Sequence, residues 1–133
     1  MLAEAFPMLS EKARSVLAEI AAALERLQVA GEIATVFINR MALSQEERQT
    51  IRDFLGEGSI SITLGNSDEP AEWLESGFSG VWYGVFYDQA GNPMLETIEV
   101  AHFPQVAAAQ AEDIIQGITA LKQRLADADK SEG

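Results

Sequence analysis

His102 is the single histidine of this 133-residue chain and its strongest candidate for a catalytic base, because imidazole titrates near neutral pH. Glu99 lies three positions before it, in a stretch whose residues are typical of a β-strand. Side chains three positions apart on a strand point to opposite faces, so this acid and this base are not expected to meet. Because no nucleophile motif accompanies them, the sequence predicts a protein that is not an enzyme.

Two other stretches contain residue types that can bind ligands. LGEGSIS has the glycines of a phosphate loop, but it lacks the GK[ST] ending, and Glu57 would repel a phosphate. GNSDEPAE groups three carboxylates without the residue order of a calcium loop, which is more typical of a solvated turn. The chain has no cysteine, which excludes disulfides, thiolate zinc sites and cysteine-ligated iron–sulfur clusters. We therefore expect no metal site and no cofactor.

The densest aromatic stretch is GFSGVWYGVFYDQAGN, which contains Trp82, Tyr83, Phe86 and Tyr87. On a strand, Trp82 and Phe86 point to one face and the two tyrosines to the other. We expect the Trp82 and Phe86 row to lie in the core and the tyrosine row to be partly exposed. Gly84 leaves a gap between Trp82 and Phe86, which suits either a crossing helix or an incoming peptide.

Three helices must position these residues. The first is predicted to begin after a Ser10 cap and to end at Gly31, and the second to begin with a Ser44–Glu47 capping box and to end at the glycines of LGEG. A second long helix is predicted from Gln105 to about Asp127, with one stripe facing the core. The residues of that stripe are Ala107, Ala111, Ile114, Ile118, Leu121 and Leu125.

Four or five strands complete the predicted fold. IATVFIN is apolar on both faces and indicates an interior strand, whereas SISITL alternates strictly and indicates a half-buried one. AEWLESGF is ambiguous and could form a short strand, and the turn QAGNP joins the last two strands as a hairpin. The prediction is one α+β domain over residues 1–133, in which a mostly antiparallel sheet of four to five strands packs against two long terminal helices and one short helix. Its core spans about residues 10–127, and a polar tail, 128–133, is expected to fray.

The charge of the chain is strongly negative and unevenly distributed. Its net charge is −12, and eleven acids but no lysine or arginine lie between Arg52 and Lys122. This balance argues against binding to nucleic acid or to an anionic membrane surface. It is compatible either with solubility alone or with a surface that attracts a cationic partner. Because no apolar run is long enough to span a membrane and no signal peptide is evident, we expect a cytoplasmic protein without membrane insertion.

Three stretches together resemble the conserved C-terminal region of hydrogenase expression/formation proteins of the HupH/HyaF type. They are LGEGSISITL, FSGVWYGVFYDQAGNPMLETIEVAHFPQV and AEDIIQGITALKQRL, and with the flanking segments the resemblance covers roughly residues 15–125. The chain departs from the family pattern at Ser59, where an acid is usual, and at Tyr83, where a second tryptophan is frequent. The resemblance implies an accessory, chaperone-like role in the maturation of nickel–iron uptake hydrogenases.

The partner that the resemblance implies is the hydrogenase small subunit or its twin-arginine signal peptide, together with other maturation factors. Such a peptide is basic and apolar, so an acidic surface edged with aromatic residues would suit it. The candidate contact residues are Glu57, Ser59, Tyr83, Tyr87, Glu96, Glu99 and His102. Two alternatives remain open at this point: a generic protein-interaction domain that forms a homodimer through an exposed strand, and a small-molecule-binding α+β domain with a pocket between sheet and helices.

Overall fold

A computed structural model describes residues 8–65 and 68–132 of the chain. It has the predicted α+β architecture, with three α-helices and one five-stranded antiparallel sheet. The helices are α1 (Glu11–Ala30), α2 (Gln45–Leu55) and α3 (Ala111–Glu132). The strands are β1 (Ala34–Phe37), β2 (Ser61–Leu64), β3 (Ala71–Glu75), β4 (Val81–Tyr87) and β5 (Pro93–Val100). Short 3-10 turns follow β1 and β5, at Ile38–Arg40 and Gln105–Ala107.

The ends of α1 and the start of α2 lie where local sequence signals predicted them. The Ser10 hydroxyl accepts a hydrogen bond from the backbone N–H of Ala13, and Gly31 ends α1 in the left-handed conformation. Ser44 and Glu47 form a reciprocal capping box at the start of α2. The Ser10 hydroxyl also donates to Glu47 at 2.5 Å, which joins the first turns of α1 and α2 and, as the largest cause, lowers the pKa of Glu47.

The strand order across the sheet is β1-β5-β4-β3-β2. IATVFIN therefore forms the edge strand β1, and the prediction of an interior strand is wrong. Its apolar residues are explained by the helices that pack beside it and by its pairing with β5, where Val36 lies opposite Ile98. AEWLE forms the interior strand β3, and the hairpin of β4 and β5 is confirmed.

The main core lies between the sheet and the helices α1 and α2. We call this side of the sheet the helix-side face. It carries Val36, Val81, Tyr83, Ile98 and Val100 against the apolar faces of both helices. Tyr83 is only 7% exposed, so the expectation of a partly exposed tyrosine row is wrong for this residue. Its hydroxyl donates to the carbonyl oxygens of Arg52 (3.0 Å) and Gly56 (3.3 Å), which satisfies the polar end of a buried ring.

The opposite side of the sheet carries a second, smaller cluster that consists of strand residues only. We call this side the uncovered face. Its buried members are Ala71, Trp73 and Trp82, with Ile62, Leu64 and Phe86 packed beside them. The placement of Trp82 and Phe86 in a core is confirmed, although Phe86 is only half-buried.

Helix α3 forms as predicted, but its apolar stripe does not face the core. Every described side chain from 111 to 130 is exposed, including the stripe residues Ile118 (50%) and Leu121 (60%). The helix also begins later than predicted, at Ala111, and remains helical to Glu132 rather than fraying after about Asp127. The predicted packing of two long terminal helices on the sheet therefore holds for α1 and not for α3.

Candidate protein-binding site

The uncovered face is organised around a gap at Gly84 in β4. Trp73 lies directly opposite Gly84 in the pairing of β3 with β4, and Thr97 lies opposite it in β5. A Cβ on Gly84 would stand 3.0 Å from Nε1 of Trp73 and closer still to Oγ1 of Thr97. The gap predicted between Trp82 and Phe86 is thus filled by a neighbouring tryptophan of the same sheet.

Three buried polar atoms of this face have no hydrogen-bond partner of acceptable geometry in the part of the chain that the structure describes. They are Nε1 of Trp73, Oγ1 of Thr97 and Oε2 of Glu99. Burial raises the pKa of Glu99, and the indole N–H of Trp73 offsets part of this effect by favouring the ionised carboxylate. We interpret the indole N–H of Trp73 and the carboxylate of Glu99 as facing each other at a geometry that does not complete a hydrogen bond. Unpartnered polar atoms in a buried place weaken the fold unless something else binds them.

The accessible part of the uncovered face is apolar with acidic residues at its border. Strand pairing points Ile62, Leu64, Phe86 and Leu95 to this face, and all of them are half-buried. The paired positions of β2 to β5 on this face contribute two charged side chains, Glu75 and Glu99, and both are acids. Phe37 of β1 pairs with Thr97 and therefore lies on the same face. The guanidinium of Arg40 lies over the Phe37 ring at 4.4 Å, so the β1 end of this face carries a base.

Strand β2 is one of the two edge strands of the sheet and borders this face. It pairs with β3 alone, so the other backbone edge of Ser61–Leu64 has no strand beside it among the described residues. The loop before β2 is held against β3: Gly58 donates to the carbonyl oxygen of Glu75 at 2.8 Å, and Ser59 donates to its carboxylate at 3.2 Å. The loop therefore presents β2 in a fixed position.

The predicted contact residues do not form one surface. Glu96 and Glu99 lie on opposite faces of β5, because they are three positions apart on a strand. Glu96 lies on the helix-side face, 3.9 Å from Nη1 of Arg48 in α2. Glu57 and Ser59 are exposed in the loop before β2, and Tyr87 is half-buried at the end of β4.

Two hollows bear on the small-molecule alternative. A cleft of about 140 Å³ lies between α2 and the sheet, with Arg48, Tyr83 and Glu96 in its wall. This volume is well below the roughly 300–1,000 Å³ of a typical ligand pocket. His102 lines a second, open hollow of about 310 Å³, and no carboxylate lies among the described residues that line it. His102 lies beyond Val100, the last residue of β5, so the strand spacing used to separate it from Glu99 does not apply to it.

Comparison with known proteins identifies residues 11–128 as the C-terminal conserved region of the HupH hydrogenase expression protein. The chain belongs to this family. Hydrogenase expression protein HupH from Thiobacillus denitrificans ATCC 25259 has a solved structure that is 31% identical, with a TM-score of 0.81 over 90% of this chain and 99% of that one. Hydrogenase expression/formation protein HoxQ from Azotobacter vinelandii is 29% identical over 88 residues, which are 66% of this chain and 31% of HoxQ.

The family resemblance proposed from the three sequence stretches is thereby confirmed. The chain spans about a third of the length of the curated relative that it matches. None of the described helices is long and apolar enough to cross a membrane. Within residues 8–65 and 68–132, no three histidine or acidic side chains are grouped so that they could hold a metal ion.

Sequence reasoning missed Trp73 as a member of the site. The alternation Ala71, Trp73, Glu75 is present in AEWLE and could have indicated one face of a strand. Its pairing with Gly84, however, depends on the register between β3 and β4, which sequence periodicity does not specify.

Proposed function

We propose that this chain is a non-catalytic accessory protein in the maturation of nickel–iron uptake hydrogenases. In this proposal it binds the hydrogenase small subunit or its twin-arginine precursor in the cytoplasm, before export. Membership of the HupH family supports the maturation role. The relatives that match are themselves described as hydrogenase expression or expression/formation proteins.

The observation that carries the proposal is the chemistry of the uncovered face. It offers half-buried apolar side chains, Ile62, Leu64 and Phe86, beside the acids Glu75 and Glu99. A twin-arginine signal peptide combines arginines with an apolar segment. Its arginines would be attracted by the acids and by the aromatic ring faces, and its apolar segment would cover the aliphatic side chains.

The free edge of β2 adds a mode of backbone recognition. An extended peptide can pair with an exposed strand edge through main-chain hydrogen bonds, while its alternate side chains contact one face of the sheet. At β2 that face includes Ile62 and Leu64. A segment bound there would extend the sheet to a sixth strand and lie next to the apolar part of the uncovered face.

The test is a binding titration of the purified full chain with the small-subunit precursor, with and without its signal peptide. Leu64→Lys adds a positive charge on the uncovered face, and Thr63→Lys adds the same charge at the neighbouring position on the opposite face. We expect Leu64→Lys to weaken precursor binding by about tenfold or more, equivalent to about 1.4 kcal/mol, and Thr63→Lys to have a much smaller effect. Both variants must retain the wild-type melting curve for the comparison to apply.

The proposed function is overturned if the precursor does not bind the wild-type chain. If Leu64→Lys and Thr63→Lys weakened precursor binding equally, the precursor would still be a partner of this chain, but the uncovered face would not be its binding site. Salt dependence supplies an independent readout, because attraction between exposed charges is screened at high ionic strength. We expect the affinity of the wild-type chain for the precursor to fall as salt is added.

A further inference from the structure

Helix α3 is a long amphipathic helix with nothing packed on its apolar side in the described chain. It runs for 22 residues, Ala111–Glu132, and is therefore about 33 Å long. Its large apolar side chains Ile114, Ile118, Leu121 and Leu125 are each half exposed or more. Most helices in proteins owe their stability to the packing of such a face, so this one requires a surface that covers it.

The spacing of the stripe is that of a coiled-coil seam. Alternating steps of three and four residues separate Ala111, Ile114, Ile118, Leu121 and Leu125. These are the a and d positions of consecutive heptads, with Ala111 at a and Ile114 at d. Ile115, at e, is also exposed and widens the apolar stripe in the first heptad. Further along α3 the large apolar side chains occupy a and d positions only, and such a narrow seam suits one partner helix.

The charges beside the seam are self-complementary when two α3 helices lie parallel. With Ala111 at a, Arg124 occupies g and Asp129 occupies e of the next heptad. In a parallel pair, a g side chain faces the e side chain five positions further along the partner, so Arg124 of each helix meets Asp129 of the other. Lys122, at e, faces Gly117 and therefore meets no like charge.

The charges beside the seam are of both signs, unlike those of the uncovered face. Lys122 and Arg124 flank the seam together with Asp129, whereas the paired positions of β2 to β5 on the uncovered face contribute acids only. The uncovered face therefore suits a basic segment better than the seam does.

We propose that α3 pairs in parallel with α3 of a second copy of this chain, forming a two-stranded coiled coil that makes the protein a dimer. Each helix then covers the apolar stripe of the other, and the two Arg124–Asp129 pairs set the register and the direction. The body of each chain, from α1 to β5, stays outside the seam. This inference is independent of the proposed function, since it concerns a different surface.

The test is sedimentation equilibrium of the full chain over a wide range of concentration. We expect a mass that rises from the 14.4 kDa of one chain to twice that value. Leu121→Asp, at d, should leave the protein monomeric over the same range. Ala120→Asp is the matched control, because it introduces the same residue at the neighbouring exposed position away from the seam, and it should still dimerise.

Charge reversal decides the direction of the pair. Arg124→Glu and Asp129→Arg should each weaken the dimer, because each sets like charges against one another, and the double variant should restore it. A monomeric wild-type chain at the highest concentration overturns the proposal, and so does a dimer that Leu121→Asp leaves intact. A dimer without rescue in the double variant overturns the parallel arrangement.

The body melts independently of these changes, because α3 contributes no side chain to either core cluster among the described residues. A variant that lost its melting transition would therefore itself contradict the exposed position of α3. We expect Leu121→Asp to bind the small-subunit precursor as the wild-type chain does, and Leu64→Lys to dimerise normally. Failure of one proposal is thus distinguishable from failure of the other.

Discussion

The indole of Trp73 occupies the space that a side chain at Gly84 would need. Nε1 of Trp73 lies 3.0 Å from the position of a Cβ on Gly84, and the two residues are direct partners in the pairing of β3 with β4. A glycine in the interior of a strand normally weakens it, because it contributes no side chain to the packing. Here the missing side chain lets a neighbouring tryptophan become fully buried on a face that none of the described helices covers.

Gly84→Ala is expected to destabilise the protein by about 1–3 kcal/mol, the usual cost of forcing an extra methyl group into a packed site. Both neighbours of the added Cβ, the Trp73 ring and the Thr97 hydroxyl, belong to stiff side chains, so neither can move away at low cost. Urea denaturation measures the change. Gly65→Ala is the control, because no atom of the described residues lies within 4 Å of a Cβ there, and the stability of this variant should stay within about 0.5 kcal/mol of the wild type. Equal effects at the two glycines would contradict the close approach of Trp73.

Glu99→Gln is expected to raise stability at neutral pH. Burial raises the pKa of Glu99 above its ordinary value of 4.5, so the folded state holds this proton more tightly than the unfolded state does. The stability that the group contributes is therefore fully present below its ordinary pKa and is lost as pH rises through the folded pKa. Melting curves from pH 4 to 8 should show that the stability of Glu99→Gln falls less with rising pH than the stability of the wild type does. Glu25→Gln, at an exposed position of α1, controls for the removal of one negative charge. An unchanged slope in Glu99→Gln would contradict the burial of this carboxyl group.

Tyr83 is expected to ionise far later than an ordinary tyrosine. Burial raises its pKa to about 12, with the Arg52 guanidinium opposing the shift. The folded state is therefore stabilised below pH 10 and loses this contribution as pH rises from about 10 to about 12. Tyr83→Phe should remove this late phase from an ultraviolet titration. Loss of the hydrogen bonds to Arg52 and Gly56 should cost about 1 kcal/mol at neutral pH. A late phase that persists in Tyr83→Phe would contradict its assignment to Tyr83.

Gly117→Ala is expected to strengthen α3. Glycine inside a helix costs about 1 kcal/mol relative to alanine, and nothing lies within 4 Å of a Cβ at this position. Circular dichroism should show greater helix content, and the monomer–dimer equilibrium should move toward the dimer. Gly31→Ala provides the contrast, because Gly31 ends α1 at a φ of +70° that alanine adopts poorly. That variant should lose stability, whereas a loss in Gly117→Ala would contradict the exposed position of this residue.

Local signals in the sequence predicted where the helices begin and end better than they predicted what each helix packs against. The caps at Ser10 and Ser44 involve residues three apart, so they can be recognised without knowledge of the fold. The stripe of α3 could not be assigned in the same way, because three- and four-residue steps occur both in helices that pack on a core and in helices that pair with one another. Its exposure became evident only with the position of α3 relative to the sheet.

The candidate site depended on strand order and register, which are long-range properties. The apolar run that forms β1 indicated an interior strand, yet it lies at the edge beside β5. Trp73 and Gly84 meet because β3 and β4 pair in one register, and a shift by one residue would send Trp73 to the helix-side face. The sequence predicted that Trp82 and Phe86 share one face of a strand, but it did not predict that Trp73 fills the gap between them.

Hydrogen exchange of the full chain, free and bound to the small-subunit precursor, tests the central claim most directly. The bound precursor is expected to slow exchange in β2, Ser61–Leu64, whose free edge would gain hydrogen bonds, while α1 and α2 keep their rates. Comparison at one fixed protein concentration separates this change from any slowing in α3 that self-association causes. Slower exchange confined to α1 and α2, or unchanged exchange throughout the chain, would contradict the account.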